Sequence, residues 1–220
     1  MITRRSNIRL LTAFFLCVAG SPLAFASGAG DDATIIFRKV FQSSYPEFVE
    51  IKLTKSGSGT CDIRQLDEEP NVRPLEVGAT IVQRIFELAG NLHNFRGVDL
   101  DVHRRLANLG KKTFRYEKGG EVHEVTFNYT LNESASELVN IFEGIEREES
   151  DLADLERTMR YDRLGVNDVM RQIEADYNHK LLPEPERLLP KLDQLAANER
   201  FLDMARDRAR ALANRIRSSQ

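Results

Sequence analysis

Between Thr34 and Tyr129 the apolar positions fall mostly on every second residue, and from Glu133 onward they fall on every third or fourth. The first spacing is that of half-buried strands, the second that of amphipathic helices. Residues 34–41 read as a strand. Residues 48–55 alternate cleanly, with Val49, Ile51 and Leu53 on one side and Glu50, Lys52 and Thr54 on the other. Ser56-Gly57-Ser58-Gly59 then turns the chain into a strand over 60–66, which makes a half-buried hairpin. In that strand Cys61 is expected to share the core side with Ile63 while Asp62 and Arg64 face water. The Gly-x-Gly is turn chemistry, because neither the Gly-Lys-Ser/Thr of a phosphate loop nor a helix follows it.

Residues 67–74 are charged and interrupted by Pro70 and Pro74, which marks a surface loop or a sheet edge. Residues 79–88 place Ile81, Val82, Ile85, Phe86 and Leu88 at helical spacing, with Gly90 and Asn91 as a stop. A second helix is expected from about Asp101 to Leu109, ending at Gly110. The next hairpin carries a sharper signature: strands over 113–118 and 121–129 flank Gly119-Gly120, a pair suited to a type I′ turn. In that register Lys118 faces Glu121, Tyr116 faces His123, Arg115 faces Glu124 and Phe114 faces Val125. The charges match and the apolar residues share one side, so the register is supported twice.

Leu138, Phe142, Ile145, Leu152 and Met159 define a helix of about 30 residues, and the step missing between Ile145 and Leu152 holds Glu149. Asn132 or Ser134 caps its start and Gly165 marks its end. Val166, Met170, Ile173 and Tyr177 give a shorter helix that runs up to the breaker Pro183-Glu184-Pro185. Leu188, Leu192 and Leu195 lead, through a phase slip, into a last seam of Asn198, Leu202, Ala205, Ala209, Leu212 and Ile216. Residues 133–156 hold nine acids and one base, Arg147, whereas residues 200–217 hold six arginines and two aspartates. These two segments are expected to pair antiparallel, the charges setting orientation and the apolar seam supplying the stability.

The fold class is therefore α+β: an antiparallel sheet of two hairpins with a short crossing helix, followed by a C-terminal helical hairpin or small bundle. Residues 33–130 form the sheet-centred part. Residues 131–220 form an all-helical part packed on or beside it.

The first 26 residues carry the pattern of a cleaved export signal. Arg4, Arg5 and Arg9 precede an apolar run from Leu10 to Ala19, and Ala24-Phe25-Ala26 fits the peptidase before Ser27. The run is shorter than the ~20 residues of a membrane span. Leu16 before Cys17 argues against lipidation, and Ser6-Asn7 after Arg4-Arg5 argues for the general export route over the twin-arginine one. Residues 27–32 are a small, polar, flexible lead-in. Cleavage removes three arginines and no acid, which takes the formal charge from −3 to −6. A chain this acidic is a poor ligand for nucleic acid or anionic membranes. Of the two cysteines only Cys61 would remain, so no internal disulfide is possible after cleavage.

Catalytic signatures are sparse. His93, His103, His123 and His179 are scattered without a zinc spacing, and no nucleophile elbow surrounds Ser56 or Ser58. No metal site, no cofactor and no catalytic residue is assigned. His123 is expected to pack on Tyr116 and satisfy a hydrogen bond. Asp99, Asp101 and His103 alternate as metal ligands can, but Asp99 or Asp101 capping the helix that contains His103 explains them more simply. Asn128-Tyr129-Thr130 and Asn132-Glu133-Ser134 match the glycosylation sequon. The expected function is that of an exported, periplasmic or extracellular, non-enzymatic domain that binds another envelope or secreted protein. Two rivals are a hydrolase assembled from dispersed residues such as His123, Asp99 and Glu124, and a small-ligand or inhibitor domain that uses the open face of the sheet.

Overall fold

A computed structural model describes residues 32–219; the expected signal, residues 1–26, and the lead-in up to residue 31 lie outside the described residues. Six strands form one antiparallel sheet: β1 (Thr34–Val40), β2 (Phe48–Thr54), β3 (Ser58–Arg64), β4 (Arg73–Glu76), β5 (Lys111–Lys118) and β6 (Glu121–Phe127). Their order is β4-β3-β2-β1-β5-β6, so the first four make a meander and the second hairpin docks on the free edge of β1. The class is α+β, as the two spacings imply. Gly119 and Gly120 both have positive φ, as a type I′ turn requires, and β5 pairs with β6 in the register set by the charge match.

One face of the sheet is apolar. Ile35, Phe37, Val49, Ile51, Leu53, Cys61, Leu75, Phe114, Val125 and Phe127 alternate onto it and are buried. It is covered by α1 (Ala79–Asn91), through Val82, Ile85, Leu88 and Ala89, and by the first half of α2 (Glu133–Tyr161). Phe142 of α2 stacks on Phe37 with centroids 5.1 Å apart. After α1 the chain passes through three left-handed residues, His93, Asn94 and Phe95, a costly conformation for side-chain-bearing residues. That turn lays the Phe95 ring on Phe114 at 5.2 Å. The opposite face is polar and self-paired: Arg38 with Glu50, Arg115 with Glu117 and Glu124, Thr113 with Thr126.

Three expectations need correction. No helix forms over 101–109. The donors and acceptors that a helix would use go to the end of β6 instead: Val102 N–H donates to the Tyr129 carbonyl, and Leu109 N–H donates to the Asn128 side chain. Asp62 is buried rather than exposed, because it accepts from Arg64 Nε at 3.1 Å and from Asn71 N–H at 3.0 Å; Arg64 is half-buried, its guanidinium lying over Phe48. The acidic and arginine-rich helices do not pair. After α3 (Val166–Asn178) and α4 (Leu189–Ala197), helix α5 (Asp203–Ser218) packs on both of these, and Arg208 and Arg217 engage Glu174 of α3 and Asp193 of α4.

The helices beyond the middle of α2 have their own core: Leu155, Val166, Met170, Ile173, Leu188, Leu192, Leu195, Ala209, Leu212 and Ile216. Helix α2 thus runs through both cores. Gly144 is where the chain returning from α3 crosses it; a Cβ there would lie 2.7 Å from Pro183 Cδ and 2.9 Å from the Leu181 carbonyl oxygen. Alanine at a helix interior normally gains about 1 kcal/mol over glycine. Gly144→Ala should instead destabilise by roughly 1–2 kcal/mol in urea unfolding, because a backbone oxygen and a proline ring must move. A gain in stability would contradict this crossing.

Candidate functional site

The interruption of the α2 seam is the most polar place in the interior. Where Ile145 and Leu152 would be joined by another apolar residue, α2 carries Glu148, fully buried, and Glu149, nearly so. Both face the segment that follows α3. Pro183 and Pro185 break that segment out of helix, and the short turn Pro185–Leu188 presents Arg187. Arg187 reaches both carboxyls, Nη1 to Glu148 at 3.4 Å and Nη2 to Glu149. Glu184 N–H donates to the other oxygen of Glu148.

The same network reaches the sheet side. Gly78 N–H, at the start of α1, donates to Glu184 Oε1 at 2.8 Å. A Cβ on Gly78 would sit 2.2 Å from that oxygen, so a side chain there would push the Glu184 carboxylate out of this contact. Glu149 Oε2 lies 3.9 Å from the Cys61 sulfur of β3. A continuous chain of polar contacts therefore runs from α1 and β3, through α2, to the 184–187 turn. Glu184 Oε2 is enclosed without a partner.

Burial dominates the proton chemistry here. It pushes Glu148 up to about 8, against the pull of the Glu184 N–H and the Arg187 charge. Burial, together with the charge of Glu149, pushes the Cys61 thiol up to about 11, so it is a thiol and not a thiolate at neutral pH. Glu184 is raised by burial as well. One turn further on, Asp151 of α2 faces Asp176 of α3; Asp176 takes Arg147 at 3.2 Å and Gln172 at 2.9 Å, and Asp151 Oδ2 is enclosed without a partner. Burial and the like charge of Asp176 raise Asp151 to about 7. This arrangement stores protons and joins elements. It supplies no activated nucleophile.

The residues singled out from sequence do not converge. His123 does face Tyr116, rings nearly parallel with centroids 6.4 Å apart, and its Nε2 accepts from Arg96 Nε at 3.2 Å. Glu124, its neighbour along β6, points to the opposite face and pairs with Arg115. Asp99 bonds His103 Nε2 at 2.6 Å, and that contact lowers Asp99 and raises His103. The capping role expected for Asp99 or Asp101 falls with the missing helix: Asp101 instead accepts from the N–H groups of Asn128 and Tyr129. No group of three His, Cys, Asp or Glu among the described residues is placed to hold a metal. Ser56 and Ser58 bond Thr54 and Glu76 within turn chemistry. Both sequon asparagines serve the fold, Asn128 by tying down residues 107 and 109 and Asn132 by accepting from Ala135 N–H as the cap of α2. No protein-family model matches the chain, and no curated protein aligns with it.

The sequence marked this junction only by the gap at Glu149. Arg187, Glu184 and Asp176 gave no local signal, since each is one acid or base among many until the fold encloses it. The sign of the pH response follows from the raised values. Between its ordinary 3.8 and about 7, Asp151 holds its proton in the folded chain and releases it in the unfolded one. Stability falls as pH rises through that window, and Glu148 adds the same sign between 4.5 and about 8. Asp151→Asn should therefore match the parent at pH 4 and exceed it at pH 8 by on the order of a few kcal/mol, read from urea midpoints. A variant weaker than the parent at pH 8 would show that Asp151 is ionised and paired.

Proposed function

We propose that the chain is an exported, non-enzymatic protein that binds another envelope or secreted protein through the loop that leads into β5. The amino-terminal pattern of residues 1–26 supports export. The observation that carries the binding role is the state of residues 98–110. They have no regular secondary structure, yet Asp101 and Asn128 pin them to the end of β6. The pinned loop and the adjoining residues leave Leu106, Leu109, Tyr129 and Leu131 exposed, Leu131 by 66%. Apolar side chains held outward on a fixed loop meet a partner without a large ordering cost.

The polar face of the sheet offers no comparable cluster: most of its charges pair with one another, and Val122 is its single large exposed apolar side chain among the described residues. The buried carboxyls of the junction are consumed in joining elements, which favours a binding role over a hydrolytic one. Among the described residues no helix is long and apolar enough to cross a membrane.

A photo-reactive residue placed at Leu131 in the exporting cell should give a discrete adduct with one partner protein, and the same residue at Arg115 on the polar face should give none. Leu106→Glu should abolish the adduct while leaving the thermal midpoint within a few degrees, since Leu106 is 45% exposed and belongs to neither core. Equal labelling from both positions, or none from Leu131, would overturn the proposal.

A further inference from the structure

Arg73 stands apart from the other arginines. Every other half-buried arginine among the described residues has a carboxylate within 4.0 Å. Arg73 has none, and its side chain donates no hydrogen bond within the protein. Its Nε is fully enclosed with no acceptor. Strand β4 pairs Arg73 with Cys61, so the side chain leaves the sheet on the apolar side, beside residues that are wholly buried. The rest of the guanidinium keeps some contact with solvent, but its Nε is enclosed without an acceptor and no carboxylate comes within ion-pair distance, an arrangement native proteins seldom keep without a use.

The side chain lines a cleft of about 160 Å³ between the β3–β4 edge and the middle of α2. Ile63, Pro46 and Ala153 give the cleft an apolar wall, and Ser150 supplies a hydroxyl. Two acids and a second arginine also line it: Glu68, which accepts from Gln65 N–H, Asp154, which is held by Arg157, and Arg64, which is already taken by Asp62 and by the carbonyls of Gln65 and Glu68. The site therefore has one uncommitted guanidinium in a lining whose two arginines and two acids balance, which suits a single negative charge better than a dianion, beside carbon that suits an apolar body.

We propose that this cleft binds a monocarboxylate carried on a small apolar group, its carboxylate paired with Arg73. The guanidinium fork matches a carboxylate in two parallel hydrogen bonds, and the balanced charge of the lining selects against phosphate. The ligand is a free organic acid or the carboxyl end of a peptide; both present the same group to Arg73. The site lies on the edge of the sheet opposite β6 and does not rest on the loop surface proposed above.

The test is a nuclear magnetic resonance titration of the exported chain with hexanoate, N-acetyl-leucine, N-acetyl-leucinamide and inorganic phosphate. We expect saturable shifts at residues 71–73 and 150–154 with a Kd of about 1 mM or tighter for a monocarboxylate, and at least tenfold weaker binding of the amide and of phosphate. Binding of hexanoate as tight as that of N-acetyl-leucine assigns a free acid; binding of N-acetyl-leucine alone assigns a peptide end. Arg73→Gln should abolish the shifts and leave the ligand-free midpoint unchanged or higher, since it removes an unpaired cation. Ala153→Leu, which narrows the cleft and keeps Arg73, provides an independent loss of binding should Arg73→Gln not fold. Failure of both monocarboxylates to bind, equal binding of the amide, or retained binding in a folded Arg73→Gln would overturn the site.

Discussion

The burial of Glu148 and Glu149 side by side, opposite a single Arg187, is the constraint around which the rest of the molecule is arranged. A helix 29 residues long cannot keep one apolar face toward both a sheet and a helical bundle unless the two cores meet along it. They meet here at a polar band. One guanidinium faces two carboxyls, Glu148 holds its proton because burial outweighs its donors, and the Glu184 N–H fills the remaining acceptor. Such a network contributes little net stability against a well-packed apolar alternative, but it tolerates only one position of the 184–187 turn relative to α2. Gly78 and Gly144 make the close approaches on either side possible.

Charge elsewhere follows proximity rather than bulk complementarity. The acids of α2 are met by one cation from each neighbour: Arg84 of α1, Lys39 of β1, Arg187 of the turn and Lys191 of α4. The arginines of α5 are taken by α3, by α4 and by aspartates one turn away. Exposed pairs are worth only about 0–1 kcal/mol each, so they cannot choose a partner helix against the apolar seam. Ala205, Ala209, Leu212 and Ile216 make that choice by packing on the helical core.

The hairpins were legible because period-two alternation marks both, and in the second hairpin matched cross-strand charges and Gly119-Gly120 point to one register as well; each of these signals is local. The long helix was legible for the same reason, and even its missing step at Glu149 was visible. Residues 101–109 misled because Asp, Leu and a terminal Gly mimic a capped helix, whereas Asp101 and Asn128 offer the backbone stronger partners across the sheet end. Asp62 misled because alternation assigns a face but not the depth of cover; Asn71, nine residues on, folds over it. The junction and the Arg73 cleft were illegible in principle. Their meaning lies in which charged groups the fold brings together, or leaves apart, across distant stretches of chain, and composition alone offers each acid any of 31 lysines and arginines.

The most direct test of this arrangement is the stability of Arg187→Gln in equilibrium urea unfolding at pH 7. Removing the one cation from two buried carboxyls should cost roughly 3–5 kcal/mol, the scale for breaking a buried pair from one side. A change within about 0.5 kcal/mol, the range of an ordinary surface substitution, would mean that the junction does not hold the two cores together.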